Sequence, residues 1–207
     1  MLNCYPVKFP SLTDNLNQKL LDFANAVPLE LGNDAIKVLR EPDFKAWERY
    51  HVQSATTSAA YNSYELSEEL HQQLADETGI LKTVPPMKHN KFYMQKITKG
   101  NAFCPHYDPP WTRTYVLLYN LSLEDNGITS FYKQTIPDTD RIVFALDEIE
   151  LIETFQLQPR RWYLFNNQTL HGVTNMSSTR IGITIGIDPI RYDDFYNYFK
   201  DTLIDQH

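Results

Sequence analysis

His106, Tyr107 and Asp108, followed later by His171 and Arg180, form a set of side chains able to bind a metal and an anion together. An imidazole and a carboxylate two residues apart in an extended or turn segment aim at one point. A second imidazole from a later strand completes one face of an octahedral metal. Two histidines and one carboxylate so arranged leave three positions open on non-haem Fe(II). The same ligands suit Mn(II), Co(II) or Zn(II), but only iron readily supports dioxygen chemistry. Zinc hydrolysis usually adds a nearby Glu base, as in a His-Glu-x-x-His helix, and no such motif occurs here. His-x-Asp is short enough to arise by chance, and two strand-end histidines with a turn aspartate would read alike, so context must decide.

Arg180 opens the run Ile181-Gly182-Ile183-Thr184-Ile185, which has the composition of a buried strand. A guanidinium there needs an anionic partner, because burying it unpaired is strongly unfavourable. A dicarboxylic or keto acid beside the metal would offer two oxygens to its planar fork, and an ion pair with an acidic side chain would also serve. Tyr119 and Tyr93, on the strands after and before the His-x-Asp segment, each have a hydroxyl suited to a ligand carboxylate or to an ordinary core position. Thr184 and Lys96 are further candidates. His51, His71, His89 and His207 read as solvated or packing residues.

Several elements must position these groups. Thr13 is an N-cap, and Leu16, Leu20, Phe23 and Val27 recur at helical spacing until Pro28. Residues 29 to 62, with Pro42 and Phe44-Lys45-Ala46-Trp47, show no clear pattern, and their small polar stretch Ser54 to Ala60 suggests a loop. Asn62 or Ser63 caps a second helix carrying Leu66, Leu70 and Leu74, and Gly79 ends it. Beyond Pro85-Pro86 the pattern changes to short aromatic and β-branched runs. These are Phe92–Thr98, Thr114–Leu121, Ile128–Lys133, Arg141–Leu146, Ile149–Gln156, Trp162–Phe165, His171–Thr174 and Arg180–Ile187. Turn signals at Lys99-Gly100-Asn101, Asp125-Asn126-Gly127 and Pro137-Asp138 punctuate them. Short strands at this spacing predict a sandwich, a jelly roll or a barrel. Aromatics from Tyr192 to Phe199 predict a terminal helix.

Composition narrows the class. At 207 residues, with 42 % hydrophobic and 22 % charged side chains, the chain fits one domain with a sizeable core. The expected division is a helical and loop support over 1–90, a β core over 91–187 and a C-terminal helix over 188–207. A net charge of −7 argues against non-specific nucleic-acid binding, which needs clustered Lys and Arg. Cys4 and Cys104 are too few for a disulfide framework. No segment approaches the roughly 18 apolar residues of a membrane span, and the N-terminus lacks a secretory pattern. The expectation is a cytoplasmic protein without membrane partners.

One resemblance draws the motifs together. Phe92 through Asp108 with its Gly100, the runs Tyr115–Leu121 and Asn126–Phe131, Trp162-Tyr163-Leu164-Phe165, His171 and Arg180 resemble the 2-oxoglutarate and Fe(II)-dependent oxygenases. Within them the chain looks most like the prolyl 4-hydroxylase branch, over residues 91 to 187. The resemblance implies a mainly β protein with flanking helices around a double-stranded β-helix, a cupin-like jelly roll. It places His106, Asp108 and His171 on iron and Arg180 on the distal carboxylate of 2-oxoglutarate, with Tyr119 assisting. The family's usual Gly-Gly-Glu-Thr run appears here as Asn126-Gly127-Ile128-Thr129, and Gly182 stands where relatives often have Ser.

The implied reaction consumes dioxygen and 2-oxoglutarate, yields succinate and carbon dioxide, and hydroxylates a C–H bond, with ascorbate as a candidate auxiliary reductant. Asp108 fills the ligand position that a halogenase would leave vacant. A prolyl residue in a peptide or protein is the leading substrate class, and a free amino acid or other small molecule is the alternative. The nucleic-acid demethylase branch places its arginines further beyond the second histidine. A cupin-like metal-binding module without turnover is the non-enzyme alternative. Substrate contacts are expected from residues 40 to 62 and from Pro109–Arg113, with Trp111 and Arg113 suited equally to facing the substrate or to surface packing.

Overall fold

Two apolar stripes with well-defined caps become helices lying on one sheet. The computed structural model describes residues 3–27, 40–58, 62–83, 91–108, 115–124, 127–137, 140–174, 177–187 and 200–202. Helix α1 spans Asp14–Ala26, and the Thr13 hydroxyl accepts from the Leu16 amide at 3.2 Å, satisfying one of the free N–H groups of the first turn. Helix α2 is Glu41–Ser54, α3 is Glu68–Thr78 and the short α4 is Ile80–Thr83.

The strands are β1 (Cys4–Val7), β2 (Thr57–Ser58), β3 (Asn62–Glu65), β4 (Phe92–Ile97), β5 (Asn101–His106), β6 (Tyr115–Asn120), β7 (Ile128–Gln134), β8 (Ile149–Gln156), β9 (Trp162–Phe165), β10 (His171–Thr174) and β11 (Arg180–Ile187). They form a six-stranded sheet in the order β1-β9-β6-β11-β4-β3 and a five-stranded sheet in the order β2-β5-β10-β7-β8. Pairing is antiparallel except between β2 and β5. Two such sheets face to face form the jelly roll expected from the sequence.

Period-two alternation divides the six-stranded sheet into a helix-facing and an inner side. Ile181, Ile183 and Ile185 of β11, Leu117 and Tyr119 of β6, and Trp162 and Leu164 of β9 pack with Leu16, Leu20 and Leu74 of α1 and α3. Each of those three leucines is almost fully buried, worth about 1.5–3 kcal/mol apiece. Leu118, Tyr163 and Phe165 point the other way and meet Phe131 of β7 and Cys4. Ile97 of β4 likewise meets Val173 and Phe103 of the opposing sheet. Arg180, Gly182 and Thr184 therefore share the inner side.

Several expectations change. The stretch without a clear pattern over residues 29 to 62 contains α2, which Pro42 can open because it sits in the first helical turn, where its missing N–H costs nothing. Asp43, Ala46 and Tyr50 form its buried stripe. Asn62 and Ser63 lie in β3, and the helix starts later, with Ser67 as its cap. Gly79 ends α3 as expected, in the left-handed region at φ 62°. Arg141–Leu146 is not a strand: only Val143 bridges, to His106. Pro85-Pro86, Asn126, Asp138, the loop Pro109–Arg113 and Tyr192–Phe199 lie outside the described residues. No helix among the described residues is long and apolar enough to cross a membrane.

Candidate metal centre and inner pocket

The sheet register brings the two histidines together. His171, first residue of β10, lies opposite His106, last residue of β5, and their ring centroids are 4.6 Å apart. Asp108 follows two residues beyond the strand end, with its Oδ1 3.5 Å from His106 Nε2. One donor atom from each of the three residues falls within 4.8 Å of the others. An ion holding such donors at about 2.0–2.2 Å would draw them slightly together.

The hydrogen bonds around the rings suit a metal. His106 Nδ1 lies 2.9 Å from the Cys104 carbonyl, and His171 Nδ1 lies 2.8 Å from the Thr169 carbonyl. A carbonyl only accepts, so each Nδ1 carries the proton and each Nε2 keeps its lone pair for an ion. This is the outer-shell pattern that fixes ligating imidazoles. Asn167 Nδ2 donates to Asp108 Oδ2 at 2.8 Å.

Charge is set by burial and proximity. Burial, with the neighbouring His106, lowers the His171 pKa to about 4, leaving that ring neutral at pH 7. Burial also opposes charge on His106, but the Asp108 carboxylate outweighs it and the shift is upward. For Asp108, burial is outweighed by His106, His171 and the Asn167 amide, and its pKa falls. The carboxylate is thus ionised, as a ligand must be.

The motif is braced from outside by α2. Asp43, 1 % exposed, accepts from the amides of Ile142 and Val143 at 2.8 and 3.0 Å. That segment in turn accepts from Tyr107 N at Ile142 O and donates from Phe144 N to Pro105 O. On the other flank, β10 approaches β5 so closely that a Cβ on Gly172 would stand 2.9 Å from Phe103 O and 3.2 Å from Pro105 N. These are backbone atoms that cannot swing aside. Gly172→Ala is therefore expected to push β10 from β5, cost about 1–3 kcal/mol of stability and weaken divalent-metal binding. Paired denaturant and Co(II) titrations check this, and a variant matching wild type in both would contradict it.

Arg180 sits deeper, at 7 % exposure, with Nη1 donating to Thr129 Oγ1 of β7 at 3.2 Å. Among the described residues no carboxylate pairs with it. Burial, only partly offset by Cys4 and Tyr163, lowers its pKa to about 10, so the guanidinium stays charged at pH 7. A buried cation facing the space between the sheets without an acidic partner fits an anionic ligand there.

The remaining candidates separate by side. Thr184 is on the inner side, and its hydroxyl donates to the Tyr93 carbonyl at 3.5 Å. Tyr93, opposite Thr184, lies four residues before Ile97 on the same face of β4 and so faces inward. Tyr119 does not: it lies on the helix side, and its hydroxyl donates to Asn17 Oδ1 of α1 at 3.0 Å, so it cannot assist Arg180. Lys96 also faces the helices, donating to the Ala24 carbonyl at the end of α1, where a cation suits the helix dipole. Sequence reading missed Tyr163, which is inward and close enough to Arg180 for each to affect the other's charge. All four residues of its strand are buried, so polarity gave no sign of its direction. Residues 40 to 58 are not mainly a substrate loop, since α2 occupies most of them, and Trp111 and Arg113 lie outside the described residues.

The fold is a double-stranded β-helix jelly roll with flanking helices, and a solved prolyl hydroxylase shares it. A prolyl hydroxylase from Trichoplax adhaerens, solved with a hypoxia inducible factor oxygen degradation domain peptide fragment, matches with a TM-score of 0.53 and 14 % identity over 89 % of this chain and 83 % of that one. A Pseudomonas putida prolyl-4-hydroxylase matches with a TM-score of 0.45 and 12 % identity over 89 % and 94 %. No family model matches the sequence, and no curated protein matches it.

Proposed function

We propose that the protein is an Fe(II)- and 2-oxoglutarate-dependent dioxygenase that hydroxylates a C–H bond. The observation that carries this reading is the convergence of His106, Asp108 and His171 within 4.8 Å, inside a jelly roll that also buries Arg180 without a carboxylate partner among the described residues. His106 Nε2, His171 Nε2 and one oxygen of Asp108 hold the iron. Arg180 binds the distal carboxylate of 2-oxoglutarate by charge-assisted hydrogen bonds, oriented by Thr129. Bound iron supplies dioxygen activation coupled to decarboxylation of the keto acid. The chain's own part is to set ligand geometry, neutralise the diacid and exclude water with Leu118, Phe131 and Phe165.

The substrate class we propose is a prolyl residue in a peptide or protein. Its support is the shared fold with the Trichoplax enzyme, which was solved with a peptide bound. Incubation with Fe(II), ascorbate and carboxyl-labelled 2-oxoglutarate is expected to release labelled carbon dioxide, and prolyl peptides are expected to stimulate it. Stimulation by free amino acids alone would move the reading to a small-molecule hydroxylase. Metal binding without any consumption of the keto acid would leave a non-catalytic cupin-like module.

A further inference from the structure

One short loop touches two of the three ligand residues. Residues 166–170 join β9 to β10; within them the Thr169 carbonyl accepts from His171, and Asn167 Nδ2 donates to Asp108 Oδ2 at 2.8 Å. The loop is tied down at Asn3. Asn166 N donates to Asn3 O at 2.8 Å, and the Thr169 hydroxyl donates to Asn3 Oδ1 at 2.9 Å. Asn3 N and Nδ2 both donate to Glu153 Oε2 of β8 at 3.2 Å. Asn167 itself is 2 % exposed, so water does not compete for its amide.

A carboxylate ligand has two oxygens, and one that turns freely can chelate with both. Chelation would use a position that substrate chemistry needs. In this structure the two oxygens of Asp108 already differ: Oδ1 lies toward His106 Nε2, and Oδ2 is held by the asparagine. We propose that Asn167 is a positioning residue of the metal centre. Its amide keeps Asp108 Oδ2 off the ion, so the carboxylate binds through Oδ1 alone and three positions remain open. Asn3 and Glu153 hold the loop that aims it. The inference rests on the metal-centre reading of the preceding section and deepens it.

Co(II), whose visible absorption reports coordination number and symmetry, is the probe. Asn167→Ala is expected to weaken Co(II) binding by about 10–100-fold, the usual effect of losing an outer-shell partner, and to change the visible band. Asn167→Leu keeps the buried volume without a donor, and melting of the metal-free variants separates lost folding from lost metal. On the wild type, the Asn167 side-chain amide protons should stay protected from exchange when Zn(II) binds. A folded variant with wild-type affinity and spectrum overturns the inference, as does loss of that protection in the wild type. Failure of the wild type to bind Co(II) at all overturns instead the reading on which it rests.

Discussion

Asp108→Ala is expected to abolish 2-oxoglutarate decarboxylation and to lower Fe(II) affinity by more than the about 10–100-fold that loss of an outer-shell partner brings. Two physical terms act together. The variant loses the only anionic ligand of the set, and it leaves two imidazoles to hold a dication. Asp108 ends no helix and fills no core, and its side chain is part-exposed, so the fold should survive. Anaerobic Fe(II) titration with circular dichroism separates the two effects. A folded variant that binds iron as wild type does would remove Asp108 from the centre.

The second large effect is at Arg180. Arg180→Met keeps an unbranched stem and removes the buried cation. Truncating one partner of a buried, hydrogen-bonded charge pair costs about 2–5 kcal/mol, which at about 1.4 kcal/mol per tenfold weakens 2-oxoglutarate binding by roughly 30-fold or more. Metal affinity should be unchanged, because Arg180 reaches Thr129 and not the ligands. The ligand-free protein should also become more stable, since a buried charge with no carboxylate partner among the described residues is replaced by an apolar side chain. A gain of about 1 kcal/mol raises the melting temperature by roughly 2–4 °C in a chain of this size. Calorimetric titration of the variant with Mn(II), then of the Mn(II)-loaded variant with 2-oxoglutarate, beside melting of the metal-free form, reads all three. Equal losses of metal and keto acid would contradict the assigned role.

Most of the core strands were legible because they alternate or are wholly apolar: Phe92–Ile97, Ile128–Gln134 and Arg180–Ile187 all form. The strands that escaped notice lack that signal for identifiable reasons. Cys4–Val7 and Asn62–Glu65 are the outer strands of the six-stranded sheet, and Pro6 is tolerated because an edge strand need not donate on both sides. Thr57–Ser58 is two residues long. Asn101–His106 contains Pro105, which argues against a strand until one sees that its carbonyl, not its absent N–H, makes the contact to Phe144. Pro42 in the first turn of α2 marks a helix start, a signal left unused in a stretch without clear periodicity.

The site was legible to the same depth. His106, Asp108 and His171 were readable from residue type and order, and the register that joins them follows from strands the pattern announces. Arg180 was readable as a charge entering an apolar strand. Tyr119 was misplaced because its strand is buried on both faces, so alternation does not say which face meets the helices. Asn167 carries no sequence signal at all; only the folding of its loop over Asp108 gives it a role.

Two side chains from one short segment, His106 and Asp108, and a third from a distant strand, His171, hold one divalent ion. Diffraction from Fe(II)-loaded crystals, recorded across the iron absorption edge, locates that ion directly. The account predicts one anomalous peak per chain within bonding distance of His106 Nε2, His171 Nε2 and Asp108 Oδ1. A peak elsewhere, or one bonded to only one of the histidines, would contradict it.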